Sequence, residues 1–285
     1  AGQGTVALEM LEDVPELDTL IVPIGGGGLL TGMGTAARGI KNDMRLVGVQ
    51  AELYPSMYAR LNGVDMACEG DTLAEGIAVK EPGEYTRKIV AALNDDIVLV
   101  AERHLERAVS LLLQIEKTVV EGAGAAGLAA MLAHPEAFAG RKVGLVLTGG
   151  NIDTRLLANV LLRDLARSGR IARLRIRLQD RPGALFKVMK LFDEKQVNII
   201  EIYHQRIFTT LPAKGLITDI ECEARDSEQL NALVDALPDA TPAPVTDAAK
   251  LALAAAVRRH YQAHPEAIAL QASGGVAVPT VANHR

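Results

Sequence analysis

At 285 residues and 49% hydrophobic composition, the chain is long enough to bury a core domain and a smaller companion domain. A formal net charge of −5, with lysine and arginine scattered along the sequence, gives no basic stripe and argues against nucleic acid as a partner. No apolar run approaches the roughly 20 residues that cross a membrane, and Cys68 and Cys222 have the spacing of neither a zinc site nor a disulfide framework. We therefore expect a cytoplasmic protein without a nucleic-acid or membrane partner.

The first predicted elements form a βαβ unit around a run of four glycines. Residues 5–12 predict a short helix, residues 19–23 an apolar strand, residues 29–40 a second helix and residues 45–50 a second strand. Strand, helix and strand within roughly thirty residues imply a parallel sheet. Ligands of such sheets bind beyond the carboxyl ends of the strands, where the glycine run lies.

The glycine run predicts an anion-binding loop. Residues without a Cβ leave the backbone free to expose several N–H groups at the positive end of a helix dipole, which favours a phosphate. The chain has no Gly-Lys pair, as a nucleotide P-loop requires, and Leu30 stands where a dinucleotide fingerprint has its third glycine. A flexible turn is the alternative interpretation. The predicted backbone donors are Gly25, Gly26, Gly27, Gly28 and Leu29.

The remaining elements of this region complete an α/β domain. They are, in chain order, a helix at 82–93, a strand at 96–100, a long helix at 102–119, a Gly- and Ala-rich helix at 122–132, a strand at 142–147 and an amphipathic helix at 153–167.

Four segments in the same order resemble fold-type II pyridoxal-phosphate enzymes, and threonine dehydratases in particular. They are VPIGGGGL at 22–29, DTLAEGIAVK at 71–80, VEGAGAAGLA at 120–129 and LTGGNID at 147–153. The resemblance covers about residues 1–225 and implies pyridoxal 5'-phosphate as cofactor, with its phosphate at the glycine run. It also implies that Thr148 faces the pyridine nitrogen, whereas the residues alone favour a cap of the next helix.

Three acidic residues are further candidates. Glu75 and Glu121 are embedded among small apolar residues, where a carboxylate needs a partner or a shifted pKa. Glu75 fits a place near the cofactor ring, but a helix-terminal or salt-bridge role fits either residue equally. Glu52 matches the first cation ligand of some relatives, yet Ser56 and Tyr58 occupy the later ligand positions, so we expect no metal site.

The resemblance implies that the catalytic lysine lies upstream of the glycine run. This lysine holds the cofactor as a Schiff base in a Ser-x-Lys-x-Arg-Gly-Ala context, which does not occur here. Lys80 and Lys117 stand in other contexts. We therefore predict no catalytic residue within this chain and expect it to be the C-terminal portion of a threonine dehydratase, inactive alone.

The character of the sequence changes at Gly169, where a βαββα pattern begins. Its elements are a strand at 171–178 that alternates apolar and basic residues, a helix to about 194, strands at 197–206 and 215–223, and a helix at 227–237. This order and the motif DRPGAL at 180–185 resemble an ACT domain, which implies an amino-acid effector. The predicted effector contacts are Asp180, Arg181 and Gly183. The alternative interpretation, that the motif only starts a helix, fits the residues equally well.

ACT domains usually close with a fourth strand, which the sequence does not predict. The sequence predicts a linker at residues 241–247, a helix at residues 247–261 and a tail over the remaining residues.

The sequence thus predicts a partial pyridoxal-phosphate dependent catalytic domain at 1–168, an ACT-like regulatory domain at 169–238, and a linker, helix and tail at 239–285. The implied activity is deamination of L-threonine, with L-serine as a second candidate, to 2-oxobutanoate and ammonia by a homo-oligomer. The alternatives are an amino-acid sensor without catalysis, or another fold-type II enzyme such as a serine racemase or threonine synthase.

Overall fold

The computed structural model describes residues 2–93, 95–205, 212–237 and 240–242. Its first unit ends at Asp164 and its second begins at Leu165. The domain boundaries predicted near residues 168 and 238 stay predictions, and the predicted helix and tail after residue 242 lie outside the described residues. No described helix is long and apolar enough to span a bilayer.

A parallel sheet with the strand order β3-β2-β1-β4 forms the centre of the first unit, as predicted. Its strands are β1 (Thr19–Pro23), β2 (Arg45–Ala51), β3 (Asp96–Val100) and β4 (Val143–Leu145). β1 pairs with both β2 and β4, so that Thr19 lies opposite Arg45 on one side and Val143 on the other. Both faces of the sheet are covered, which is why the strands read as continuous apolar runs.

Helices pack on both faces of this sheet. They are α1 (Gly4–Asp13), α2 (Gly28–Ile40), α3 (Ser56–Asn62), α4 (Glu84–Leu93), α5 (Glu102–Leu111), α6 (Gly122–Ala133), α7 (Pro135–Phe138) and α8 (Thr154–Arg167). Because successive side chains of a strand point to opposite faces, Leu20 and Val22 join the core beneath α1 and α2. Ile21 joins the core beneath α5 and α6.

The helix predicted over residues 102–119 ends earlier than expected. α5 gives way at Leu112–Glu116 to a π-helical turn, and Lys117 has a left-handed φ of 56° that ends it. In this turn the side-chain Nε2 of Gln114 donates to Ser110 Oγ at 2.6 Å. The extension to residue 119 was therefore wrong, because periodicity does not reveal where the backbone widens.

A buried carboxylate fastens α8 to α5. Asp164 accepts hydrogen bonds from Arg107 Nη1 at 2.8 Å to both oxygens and from Ser110 Oγ at 2.8 Å. Gln114 Nε2 lies 3.3 Å from the same carboxylate. Because a buried charge is costly unless it is paired and hydrogen-bonded, these donors allow Asp164 to remain in the interior.

The second unit is an antiparallel sheet with two helices. Its strands are β5 (Ile171–Gln179), β6 (Asn198–Gln205), β7 (Gly215–Glu223) and β8 (Ala240–Pro242), and its helices are α9 (Ala184–Glu194) and α10 (Ser227–Ala236). Alternate residues of β5, including Leu174 and Ile176, enter the core. The intervening Arg175 pairs with the buried Asp219 of β7 at 2.8 Å.

A fourth strand is present where the sequence predicted a linker. β8 pairs antiparallel with β5, with Pro242 opposite Leu174 and Ala240 opposite Ile176. The strand order β6-β7-β5-β8 places β8 at the sheet edge. Three residues are too few to show an alternating pattern, and Pro242 is tolerated because an edge strand does not need every N–H.

We expect the buried Cys222 thiol to make the second unit sensitive to alkaline pH. Burial raises the pKa of Cys222 from its ordinary value of 9.0 to about 11. The uncharged thiol therefore stabilises the fold fully below about pH 9, and this contribution is lost as the pH rises towards about 11.

The measurement is the free energy of unfolding of the wild type and of Cys222→Ala at several pH values. At about pH 8 the variant is expected to be less stable by about 1 kcal/mol because it loses buried volume. Between about pH 9 and about pH 11 the wild type should lose stability relative to the variant, so that the difference shrinks and then changes sign. A difference that does not change over that range would contradict the role of burial.

Candidate functional site

The glycine loop between β1 and α2 carries free backbone donors. The first intrahelical hydrogen bond runs from Thr31 N–H to Gly27 O at 3.0 Å. Among the described residues, no group accepts a hydrogen bond from the N–H groups of Gly25–Leu29. Gly27 has a left-handed φ of 90°, and a Cβ on Gly26 or Gly28 would meet nothing within 4 Å. The loop therefore offers unpaired N–H groups beside open space, which suits an anion.

The 3₁₀ turn at Glu75–Ile77 lies against this loop. A Cβ on Gly25 would be 3.3 Å from Ile77 Cα and 3.4 Å from Gly76 O. Gly76 in turn lies near α6, because a Cβ there would be 3.0 Å from the Cβ of Ala123. The segments at 22–29 and 71–80, which carry part of the family resemblance, are thus in contact. The segment at 71–80 also contacts the segment at 120–129.

Glu102, which the sequence analysis did not single out, holds the start of that turn. Its Oε1 accepts from Thr72 Oγ1 at 2.6 Å, and its Oε2 accepts from Leu73 N–H at 2.8 Å. An acidic residue in the first turn of a helix is common enough that its type alone gave no signal.

Glu121 joins the start of α6 to the segment after β4. Its N–H donates to Gly149 O at 2.9 Å. A Cβ on Gly149 would lie only 2.6 Å from Glu121 Oε1, so a side chain there would require the Glu121 carboxylate to move. The Glu121 carboxylate is half-buried and has no hydrogen-bond or ion-pair partner in the described part of the chain.

Thr148 follows the carboxyl end of β4, beside the glycine loop that follows β1. β1 and β4 are parallel neighbours, with Ile21 opposite Leu145. Thr148 is exposed and does not cap the next helix, because Asp153 Oδ1 accepts from Leu156 N–H at 2.9 Å in that role. The alternative reading of Thr148 as a helix cap is therefore wrong, and its contact with the cofactor stays a prediction.

A cavity of about 630 Å³ opens where three of these segments meet. Its walls carry the carboxylates of Glu75, Glu121 and Asp153, together with Asn151. A cavity at the carboxyl edge of a parallel sheet is the usual place for a small-molecule site.

Gly25–Leu29 and Thr148 do not line this cavity, and the remaining candidates also lie outside it. Lys80 and Lys117 are exposed, and Lys117 Nζ donates to Gln114 O at 2.5 Å. Glu52 follows β2, and its N–H donates to Val100 O at 2.9 Å. Within the described ranges, no three His, Cys, Asp or Glu side chains are grouped so that they could hold a metal ion.

The three predicted effector residues lie together in the loop between β5 and α9. Asp180 N–H donates to Lys214 O at 2.8 Å, and Gly183 precedes α9 with a left-handed φ of 81°. A cavity of about 160 Å³ beside this loop has Arg177, Arg181 and Lys187 in its walls. The cations would attract a carboxylate, and the effector role stays a prediction.

Free amides at the carboxyl edge of a parallel sheet are typical of phosphate-binding α/β proteins, and in this chain a separate antiparallel α+β unit follows the sheet. The family model of pyridoxal-phosphate dependent enzymes matches residues 1–149, more than half of the chain. The chain belongs to this family, and the predicted cofactor, pyridoxal phosphate, is confirmed. The ACT domain model matches residues 172–239, which confirms the predicted ACT-like fold.

Comparison with individual relatives supports the same family assignment. The chain is 38% identical over 232 residues to an L-threonine ammonia-lyase of Thermotoga maritima, covering 81% of this chain and 58% of that protein. A threonine deaminase structure from T.th. is 35% identical with a TM-score of 0.50, over 53% of this chain and 58% of that one. A maize serine racemase structure is 34% identical with a TM-score of 0.51, over 57% and 52%. The chain thus spans between one half and two thirds of the length of these proteins.

We expect Gly122→Ala to disrupt the packing of the Glu75–Ile77 turn. A Cβ on Gly122 would lie 2.2 Å from Leu73 O and 2.5 Å from Leu73 C, which are backbone atoms. The expected loss is about 2 kcal/mol or more in the free energy of unfolding, measured by urea titration.

Gly39→Ala is the matched control. A Cβ at this exposed position of α2 meets nothing within 4 Å, so the control should gain about 0.5 kcal/mol from helix propensity. Equal effects of the two substitutions would contradict the close packing at Gly122.

Proposed function

We propose that this chain forms the phosphate-binding part of a pyridoxal-phosphate dependent L-threonine ammonia-lyase. The observation that carries the proposal is the set of unpaired N–H groups at Gly25–Leu29, at the carboxyl edge of a parallel sheet. Similarity to proteins named threonine ammonia-lyase and threonine deaminase supports the choice of substrate.

The residues of the loop fit the phosphate of the cofactor. The N–H groups of Gly25–Leu29 would hold its oxygens, and a side chain on Gly26 or Gly28 would project into the open space that the phosphate needs. When bound, pyridoxal phosphate supplies an electron sink that acidifies the α-hydrogen of an amino acid.

Thr148 would accept or donate a hydrogen bond at the pyridine nitrogen. Because a threonine hydroxyl does not ionise near neutral pH, it cannot fix a proton on that nitrogen as an aspartate would. The weaker electron sink suits loss of a β-hydroxyl without deeper rearrangement. The overall reaction converts L-threonine to 2-oxobutanoate and ammonia.

The test compares the 285-residue chain with a chimera. In the chimera, the segment of the Thermotoga maritima relative that lies N-terminal to the matched region is joined to the start of this chain. We expect the chimera to form 2-oxobutanoate from L-threonine, detected as its hydrazone, and the chain alone to form none. Turnover by the chain alone would refute the proposal that the catalytic lysine is supplied from outside it.

Two variants of the chimera test Thr148. Thr148→Ser keeps the hydroxyl and should retain most of the activity. Thr148→Val removes it and should lower kcat by about tenfold, which corresponds to about one lost hydrogen bond. Equal activity of the two variants would contradict a contact between the hydroxyl and the pyridine nitrogen.

Serine racemization is the second candidate function, because the maize serine racemase resembles this chain about as closely as the threonine deaminase does. The chimera assay separates the two activities when L-serine is the substrate. D-serine as the main product would favour the racemase, whereas pyruvate and ammonia would favour the lyase.

We also propose that the ACT unit binds an amino acid at the loop that contains Asp180, Arg181 and Gly183. Arg181 would attract the carboxylate of the ligand at the wall of the small cavity. A saturating ligand should raise the melting temperature of the chain by about 2 °C or more in the absence of cofactor.

The screen covers the twenty common amino acids and uses two variants. Arg181→Gln should abolish the shift. Arg225→Gln should preserve it, because Arg225 follows β7 at the opposite end of the sheet and pairs with Asp226. A shift that survives Arg181→Gln would place the effector elsewhere.

A further inference from the structure

Thr86 of α4 makes a side-chain hydrogen bond to the glycine loop from a separate helix. Its Oγ1 lies 2.5 Å from Gly26 O and 3.0 Å from Gly83 O. The hydroxyl has a single proton, so the shorter contact to Gly26 takes the larger share of it. Thr86 is half-buried, and its Cβ would lie 3.1 Å from a Cβ on Gly27.

This contact determines the direction of one of the predicted phosphate donors. Gly26 O and the N–H of Gly27 belong to the same peptide group, which is planar and trans. The oxygen and the hydrogen of a trans peptide point to opposite sides. Because Thr86 holds the oxygen towards α4, the N–H of Gly27 points away from α4.

The peptide between Gly26 and Gly27 is the part of the loop that most needs such a restraint. Gly25 is confined by Gly76 and Ile77, whereas Gly28 begins α2. Glycine on both sides lets the intervening peptide rotate at little steric cost. After such a rotation, a carbonyl oxygen would replace an N–H group and repel an anion.

We propose that Thr86 is a positioning residue for the phosphate site, because its hydroxyl prevents rotation of the Gly26–Gly27 peptide. This inference depends on the proposed binding of the cofactor phosphate at the glycine loop. Thr86 does not touch the phosphate, and its effect should therefore be specific to ligands that carry one.

The test measures binding of pyridoxine 5'-phosphate and of pyridoxine to the full chain by isothermal titration calorimetry. These two ligands differ in the phosphate group, and neither has an aldehyde that would react with lysines. We expect Thr86→Val to weaken binding of pyridoxine 5'-phosphate by about three- to tenfold, the equivalent of about one hydrogen bond. Binding of pyridoxine should not change, and Thr86→Ser should restore binding of the phosphate ester.

Thr35→Val is the matched control, because Thr35 Oγ1 donates to Thr31 O at 2.7 Å on an exposed turn of α2. It makes the same hydroxyl-to-methyl change without touching the loop and should bind both ligands as the wild type does. Circular dichroism checks that each variant is folded. Amide NMR provides a second readout, since the shift of the Gly27 N–H on addition of inorganic phosphate should shrink in Thr86→Val.

The possible failures are distinguishable. A wild type that does not prefer pyridoxine 5'-phosphate to pyridoxine would overturn the phosphate site and, with it, the role of Thr86. A wild type with that preference and an unaltered Thr86→Val variant would overturn the role of Thr86 alone. Equal weakening for both ligands, or failure of Thr86→Ser to restore binding, would show that Thr86 only supports the fold.

Discussion

The arrangement of the site depends on how closely three backbone segments can approach one another. The hydrogen bond from Glu121 N–H to Gly149 O at 2.9 Å joins the start of α6 to the segment after β4. A Cβ on Gly124 would lie 3.0 Å from Gly149 O, and a Cβ on Gly122 would lie 2.2 Å from Leu73 O, so both positions of α6 permit a close approach of backbone. A larger residue at Gly122 or Gly124 would separate the segments, since backbone atoms cannot move aside as a flexible side chain can.

The parallel sheet brings the predicted ligand-binding residues to one edge. β1 and β4 are neighbours, so their carboxyl ends place the glycine loop and Thr148 at the same edge. The turn at Glu75–Ile77 fills the space between the loop and α6. The resemblance in four separate stretches of sequence therefore corresponds to one place in the fold.

The sequence predicted the elements that depend on local pattern. A strand that is buried on both faces is a continuous apolar run, as in β1 and β2. A strand that is buried on one face alternates apolar and polar residues, as in β5. The short strand Ala240–Pro242 left no such pattern, and neither did the end of the helix at Lys117. Both depend on pairing or packing with residues far away in the chain.

The supporting residues of the site could not be predicted for the same reason. The glycine run and Thr148 stand in recognisable motifs. Thr86 and Glu102 act instead through hydrogen bonds that span 60 and about 30 residues of sequence. Nothing in their immediate neighbours indicates such a partner, because the contact exists only once the helices have packed.

Glu102 also bears on how the site opens in solution. Both of its carboxylate oxygens bind the segment at Thr72 and Leu73, and Leu73 packs on Gly122 of α6. Ala74 and Ile77 of this segment are buried in the same hydrophobic core as residues of α5 and α6. Amide protons of the turn should therefore exchange with solvent as part of the same cooperative unit as the two helices, and not as a frayed loop.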